Sequence, residues 1–299
     1  MKKKLRFNSI LLAVTLSFIL VSCDSSVDII DDGGSIERTI VKMEIPSQGK
    51  LDNYNWNNAT LVWSQEFDDN NSFKENWVFD KNYNNLGNSD QLQFYTEENL
   101  EVSNGKLKII AKKIGAGQSK GDYTSSRISG RFAFEYGRIE VSAKMPAGEK
   151  NGIWSKLGLI GDNIDVVGYP NCGLINIMEY LSYRPNETYI IVHSATNNDM
   201  NGNVISANTD VETAEEEFHA YGILWTDKYI KFYVDDISNI IYTLNRPSLA
   251  TEENWPFDQP FYLLAQVVVG GRFAGAEGVN DSLFPTALEI EYIRVYHAL

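Results

Sequence analysis

The run Tyr169-Pro170-Asn171-Cys172-Gly173-Leu174-Ile175-Asn176-Ile177-Met178-Glu179-Tyr180 contains a β-strand with an irregularity written into it. Side chains alternate across a strand, so Leu174 and Asn176 share one face while Ile175 and Ile177 point the other way. In a regular strand Glu179 falls on the face of Ile175 and Ile177. One extra residue, a β-bulge, returns it to the side of Leu174 and Asn176, and bulges commonly re-aim side chains at functional sites. Taken position by position, this is also how an ordinary sandwich strand with a single carboxylate reads.

The rest of the chain has the same character. The segment Arg138-Ile139-Glu140-Val141-Ser142-Ala143-Lys144 alternates polar and apolar without a slip. Similar short runs occur at 61–67, 106–112, 127–134, 188–194, 220–226, 229–234, 261–269 and 288–295. Turn signals separate them at Asn104-Gly105, Pro146-Ala147-Gly148 and Gly270-Gly271, and Trp225 to Tyr229 reads as a tight hairpin. Only 212–217 is helix-like, and no internal repeat is present. Many strands in one long stretch imply an all-β fold, a two-sheet antiparallel β-jelly-roll sandwich.

The 299 residues are 43% hydrophobic, enough for a sizeable core. Lys2, Lys3, Lys4 and Arg6 precede an apolar run from Ile10 to Val21 that is too short to span a bilayer and has the shape of a signal peptide. That run ends Leu20-Val21-Ser22-Cys23, which resembles a bacterial lipobox; the resemblance implies cleavage before Cys23 and lipidation of its thiol. A plain secretory signal is the alternative. The expected organisation is a signal peptide over 1–22, a lipidated Cys with tether and linker over 23–55, and one domain over 56–299.

Loss of residues 1–22 takes away four cations and no acids, moving the formal charge from −14 to −18. Such a surface repels phosphate backbones and disfavours nucleic acid as a partner; a neutral polysaccharide is compatible with it. With Cys23 lipidated, Cys172 has no disulfide partner. His193, His219 and His297 show no zinc-ligand spacing. Asp28, Asp31 and Asp32, soon after Cys23, resemble the acidic export signal of surface lipoproteins in Bacteroidetes-type bacteria, which implies a lipid anchor on the cell surface or outer membrane of a Gram-negative organism.

The opening stretch resembles the active-site strand of glycoside hydrolase family 16, the jelly-roll endoglucanases of the laminarinase and lichenase kind. Laminarinase-like members read W-P-x-C-G-E-I-D-I-M-E-Y there, with the first Glu as nucleophile and the last as acid/base. Pro170, Cys172, Gly173, Ile175, Ile177, Met178, Glu179 and Tyr180 match; Leu174 stands at the nucleophile position and Asn176 at the Asp position. The likeness covers roughly 59–296. It includes Leu61 to Phe67, Tyr123 to Ile128, Tyr136 to Glu140, Trp255 to Pro260 and Tyr292 to Tyr296. It implies this same jelly roll with a glycan cleft on a concave face.

Cleft-forming segments depart from the pattern. The usual G-L-W-P-A-F-W-M-L reads Gly152-Ile153-Trp154-Ser155-Lys156-Leu157-Gly158-Leu159-Ile160, so the second Trp has become Gly158. The usual L-N-L-A-V-G-G-N-W reads Ala265 to Phe273, with Gln266 for the Asn and Phe273 for the Trp. The region around Asn88 lacks its Trp and its Glu. The resemblance leaves Trp154, Arg127, Tyr123, His193, Phe273 and Asn88 as expected glycan contacts. It also maps a structural Ca²⁺ site to Glu66, the Gly105 carbonyl and Glu291, with no cofactor required for the chemistry.

Retaining glycosidases need two carboxyls about 5–5.5 Å apart, and Leu174 cannot attack a sugar. Loss of a covalent nucleophile costs on the order of 10⁴ to 10⁶ in rate. Three readings follow: a non-cutting domain that binds a neutral β-glucan; an active endo-β-glycosidase with a displaced carboxylate, for which Asp162 and Asp165 are the nearest in sequence; and an adhesion or scaffold lipoprotein with no glycan ligand.

Overall fold

The computed structural model describes residues 45–80, 90–148 and 151–299. The expectations for Cys23, for the tether and for Asn88 lie outside the described residues. In chain order the strands are β1 (Thr60–Gln65), β2 (Trp77–Phe79), β3 (Gln93–Tyr95), β4 (Leu100–Ser103), β5 (Lys106–Lys113), β6 (Tyr123–Ser125), β7 (Arg127–Gly130) and β8 (Gly137–Lys144). They continue with β9 (Ile153–Gly161), β10 (Leu174–Leu181), β11 (Glu187–His193), β12 (Ile205–Asp210), β13 (His219–Trp225), β14 (Tyr229–Val234), β15 (Ile240–Asn245), β16 (Phe261–Val269) and β17 (Thr286–His297).

Among the described residues these form two sheets. One runs β15-β14-β13-β8-β17-β5-β6-β3, with β1 also on β17 and β4 on β5. The other runs β12-β11-β10-β9-β16-β7-β2. Pairing is antiparallel except between β3 and β6. This is the jelly-roll sandwich that the strand pattern predicts. Inward side chains of both sheets fill one core, in which Trp225 is fully buried against Phe134, Tyr136 and Phe261. The hairpin at Asn104-Gly105 has positive φ at both residues, the geometry a two-residue turn between twisted strands needs.

Three boundaries differ from the sequence expectation. Residues 45–55 are not free linker: Ile45 is buried in the core, and the Gln48 side-chain oxygen accepts from the Ala298 amide at 2.6 Å. The strand at 127–134 stops at Gly130, because its neighbour β2 begins at Trp77 and the Arg131 amide bonds to Asn76, the last residue of the helix before it. Residues 212–217 form turns rather than a helix. There the Ala214 and Glu216 amides close i→i−3 turns on Val211 and Thr213, and the Glu215 carboxylate is held from outside the segment by the Tyr180 hydroxyl and the Asn186 amide.

The bulge is present. Against β9 the register slips between Asn176 and Met178, and against β11 between Asn176 and Glu179. Ile175, Ile177, Met178 and Tyr180 all go into the core, which leaves Leu174, Asn176 and Glu179 on the outer face. The entry to β10 is fixed by packing. Gly173 has φ +79°, and a Cβ there would lie 2.9 Å from Pro256 and 3.0 Å from the Phe261 ring. Two segments far apart in sequence, Pro170 to Tyr180 and Trp255 to Pro260, therefore meet at a point that only glycine allows.

Candidate functional site

The outer face of the seven-stranded sheet can be read in rows across the strands, because antiparallel partners point the same way. Cα pairing puts Asn208, Tyr189, Glu179, Lys156, Gln266 and Arg127 in one row, from β12 through to β7. A second row is Ile191, Asn176, Gly158, Leu264 and Ser129, and a third is His193, Leu174, Ile160 and Tyr262. Glu179, Asn176 and Leu174 thus lie on one floor.

Glu179 is only 3% exposed. The Trp154 indole Nε1–H donates to its Oε2 at 2.7 Å, and the Asn176 amide donates to its Oε1. Burial pushes the carboxyl above its usual range, while Lys156 and these two donors pull the other way. Each oxygen already accepts an N–H, yet burial outweighs these donors and the Lys156 charge, so the net shift is upward.

Lys156 is the residue that sequence reasoning missed. Its Nζ sits 3.3 Å from the Trp154 ring centroid, over the ring face. Burial pushes the ammonium below its usual pKa, and the Glu179 charge opposes that shift. The signal was present as a cation inside the apolar run 153–160, but its carboxylate partner becomes visible only from the strand register. The Lys156 ammonium covers one face of Trp154 and Phe273 packs nearby, with ring centroids 5.0 Å apart. At 5% exposure Trp154 is not an open platform for a sugar ring, whereas Phe273 is 37% exposed.

Leu174 sits in an apolar cluster with Ile160, Cys172, Tyr262 and Leu264. The position expected to carry a nucleophile is packed as a hydrophobic patch. Burial pushes the Cys172 thiol up to about 12, so it is an inert packing group. At Gly158 a Cβ would lie 2.6 Å from Asn176 Oδ1 and 2.7 Å from the Ile175 carbonyl oxygen, so the space above this residue is already taken by Asn176.

The other expected contacts divide. Arg127 lies on the floor but is sealed: its Nε–H donates to Asp80 Oδ2 at 2.9 Å and its Nη1–H to Gln266 Oε1 at 2.6 Å. The Ser129 hydroxyl donates to the same Asp80 oxygen at 2.5 Å. Tyr123 is not at the site; it is fully buried in the core, with its hydroxyl on Asp281 at 2.7 Å. His193 is on the floor and 7% exposed. Its Nδ1 stands 3.9 Å from Asp199 Oδ1, and that same oxygen accepts from the Tyr169 hydroxyl.

Burial pushes His193 down to about 4. A depressed imidazole pKa means that the unfolded chain binds the extra proton between about pH 6.5 and 4. The neutral ring's contribution is therefore complete above pH 6.5 and is lost as pH falls toward 4. His193→Gln is expected to flatten the acid limb of stability in that window by up to about 3 kcal/mol, read as urea midpoints at pH 7 and pH 4.5. Equal pH slopes in both proteins would contradict the buried neutral ring.

Lys156 lowers the Glu179 pKa by its charge and Asp199 raises it. The Ca²⁺ set does not assemble in a form that fits a cation. Both Glu66 oxygens are taken by Arg294, at 2.9 and 2.8 Å, and Glu291 accepts from the Ser142 hydroxyl. Gly105 sits in its hairpin turn, and among the described residues no cluster of three His, Cys, Asp or Glu side chains could hold a metal.

A jelly-roll sandwich hosts many functions, so the fold and its carboxylate-bearing floor do not by themselves assign one. The model for glycosyl hydrolases family 16 matches residues 79–294, and the chain belongs to that family. It is 35% identical over 248 residues to a β-glucanase of Rhodothermus marinus, covering 79% of this chain and 84% of the other. The laminarinase of Flavobacterium sp. UMI-01 superposes with a TM-score of 0.70 at 40% identity, over 79% of this chain and all of that one. A further match, 29% identical over 182 residues, is to a β-1,3-glucan-binding protein of Penaeus monodon, covering 50% of this chain and 47% of the other.

Proposed function

We propose that this chain is a β-glucan-binding member of family 16 that no longer cuts, held at the cell surface of a Gram-negative bacterium by a lipid on Cys23. The observation that carries the reading is the neighbourhood of Glu179. Its face partners are Leu174 in an apolar cluster, a neutral Asn176, and Lys156 across the ladder. A retaining mechanism needs a second carboxyl about 5–5.5 Å from the first, and an apolar patch occupies its place. Relatives named as β-glucanase and as β-1,3-glucan-binding protein support a neutral β-glucan as the ligand.

Affinity electrophoresis of the purified protein on laminarin, mixed-linkage glucan and agarose tests the binding half. Retardation on at least one β-glucan is the expected result. Unchanged mobility on all three would favour an adhesion or scaffold role without a glycan ligand.

One observation favours a second reading. Asp199 is close enough to act electrostatically on Glu179, Lys156 and His193. It is therefore a candidate for a displaced carboxylate beside Asp162 and Asp165. An inverting enzyme would use it as the base for a water, at a carboxyl separation of about 6.5–9.5 Å. Hydrolysis that disappears in both Asp199→Asn and Glu179→Gln would establish that reading.

A further inference from the structure

The row that holds Glu179 continues outward over β11 and β12, and there the surface opens. A groove of about 350 Å³ is lined by Leu181, Tyr183, Arg184, Glu187, Tyr189 and Asn208, among others. Its floor is the same outer face. Tyr189 is the cross-strand partner of Glu179, and Asn208 is the partner of Tyr189. Small-molecule sites begin at about 300 Å³, so the space accommodates a short stretch of a sugar chain.

The lining is organised rather than incidental. Glu187 is its hub: it accepts from the Asn208 amide, from Arg184 Nη1 at 3.3 Å and from the Tyr189 hydroxyl. Burial, with that Glu187 contact, raises the Tyr189 phenol to about 12, so it stays a neutral hydroxyl beside the carboxylate. Arg184 also lies 5.8 Å from the Tyr183 ring centroid. Two half-buried phenol rings thus flank a set of side chains in which one cation and one anion cancel. Flat aromatic surface suits the C–H face of a pyranose, and amide, guanidinium and carboxylate groups suit its hydroxyls. A locally neutral lining favours a neutral sugar over a uronate or sulfate ester.

The centre of the floor offers less. The Lys156 ammonium lies over the face of Trp154, and Leu174, two rows along the same floor, packs into its own apolar cluster with Ile160 and Tyr262. We infer that the bound glycan is gripped to one side of the former cutting point, in the groove of Tyr183, Arg184, Tyr189 and Asn208, which takes a neutral β-linked hexose segment. This rests on the glycan-binding reading and specifies where on the sheet binding occurs.

The test measures laminarin affinity by titration calorimetry for wild type, for Tyr183→Ala/Tyr189→Ala and, separately, for the exposed-surface change Arg184→Ala. Arg184 is solvent-facing, so that variant reports on the groove even where the double variant is poorly folded. Affinity is expected to fall tenfold or more in the double variant and at least threefold in Arg184→Ala. Wild-type binding with both variants within twofold would overturn the groove while leaving glycan binding intact. Absence of wild-type binding to laminarin, mixed-linkage glucan and agarose alike would instead overturn the glycan-binding reading, and the groove with it.

Discussion

Leu174→Glu with Asn176→Asp is expected to leave the protein without measurable hydrolysis, and adding Lys156→Ala is expected to release it. The double change restores the carboxyl count but places the new groups in the wrong field. A carboxylate introduced at position 174 would be pressed against Ile160, Tyr262 and Leu264, and Lys156 would still act on Glu179. A lysine beside the acid favours its ionised form, when the acid must carry a proton to the leaving oxygen. The same ammonium also covers the Trp154 ring face. Removing it lets Glu179 respond to its burial and uncovers the ring. Since a missing nucleophile costs on the order of 10⁴ to 10⁶ in rate, recovery of one hundredth of a normal enzyme would stand roughly 10² to 10⁴ above background. Reducing-end release from laminarin measures it. A double variant that hydrolyses as fast as the triple would show that Lys156 has no part in the silencing.

The second large effect concerns stability. Arg127→Ala is expected to destabilise the fold by about 3–5 kcal/mol, because it strands Asp80 as a buried, uncompensated carboxylate. Gln266 loses its Arg127 donor as well. Replacing both partners together, Arg127→Met with Asp80→Leu, is expected to cost far less, since apolar pairs often substitute for buried ion pairs. Urea unfolding of the three proteins reads the difference. If Arg127→Ala unfolds at the wild-type midpoint yet loses laminarin binding, Arg127 is a glycan ligand and not the structural clamp its burial indicates.

These two results bear on different layers of what the sequence carried. The fold was legible because its signals are local. Alternation over 138–144, the Asn104-Gly105 turn and the misplacement of Glu179 by one residue all follow from the period of a strand, and each is found in the structure. The bulge was the most informative, since it puts Leu174, Asn176 and Glu179 on one face.

The site was legible only in part, because its chemistry is made across strands. Lys156 stands 23 positions before Glu179, and only the β9–β10 register brings them opposite. The same limit applies to Arg127, whose partners Asp80 and Gln266 come from the end of β2 and from β16. Tyr123, one strand earlier, belongs to the other sheet and points into the core. The groove at Tyr189 is likewise a product of the hairpin between β10 and β11 and of its pairing with β12. The same holds at Glu66, which Arg294 neutralises from β17, far away in sequence but next to β1 in the sheet.

Under the proposed function, the family's framework and its cutting apparatus have separated in this chain. Packing groups such as Gly173, Cys172, Met178 and Trp225 hold the sandwich together, while the floor above them carries Leu174, Asn176 and the counter-charge of Lys156 around a single carboxylate. The most direct test is prolonged incubation of the wild-type protein with laminarin and mixed-linkage glucan, with reducing ends counted beside a Glu179→Gln control. The expected result is no excess of reducing ends over the control, from protein that still binds the polymer. Reducing ends that accumulate with wild type and vanish with Glu179→Gln would contradict it.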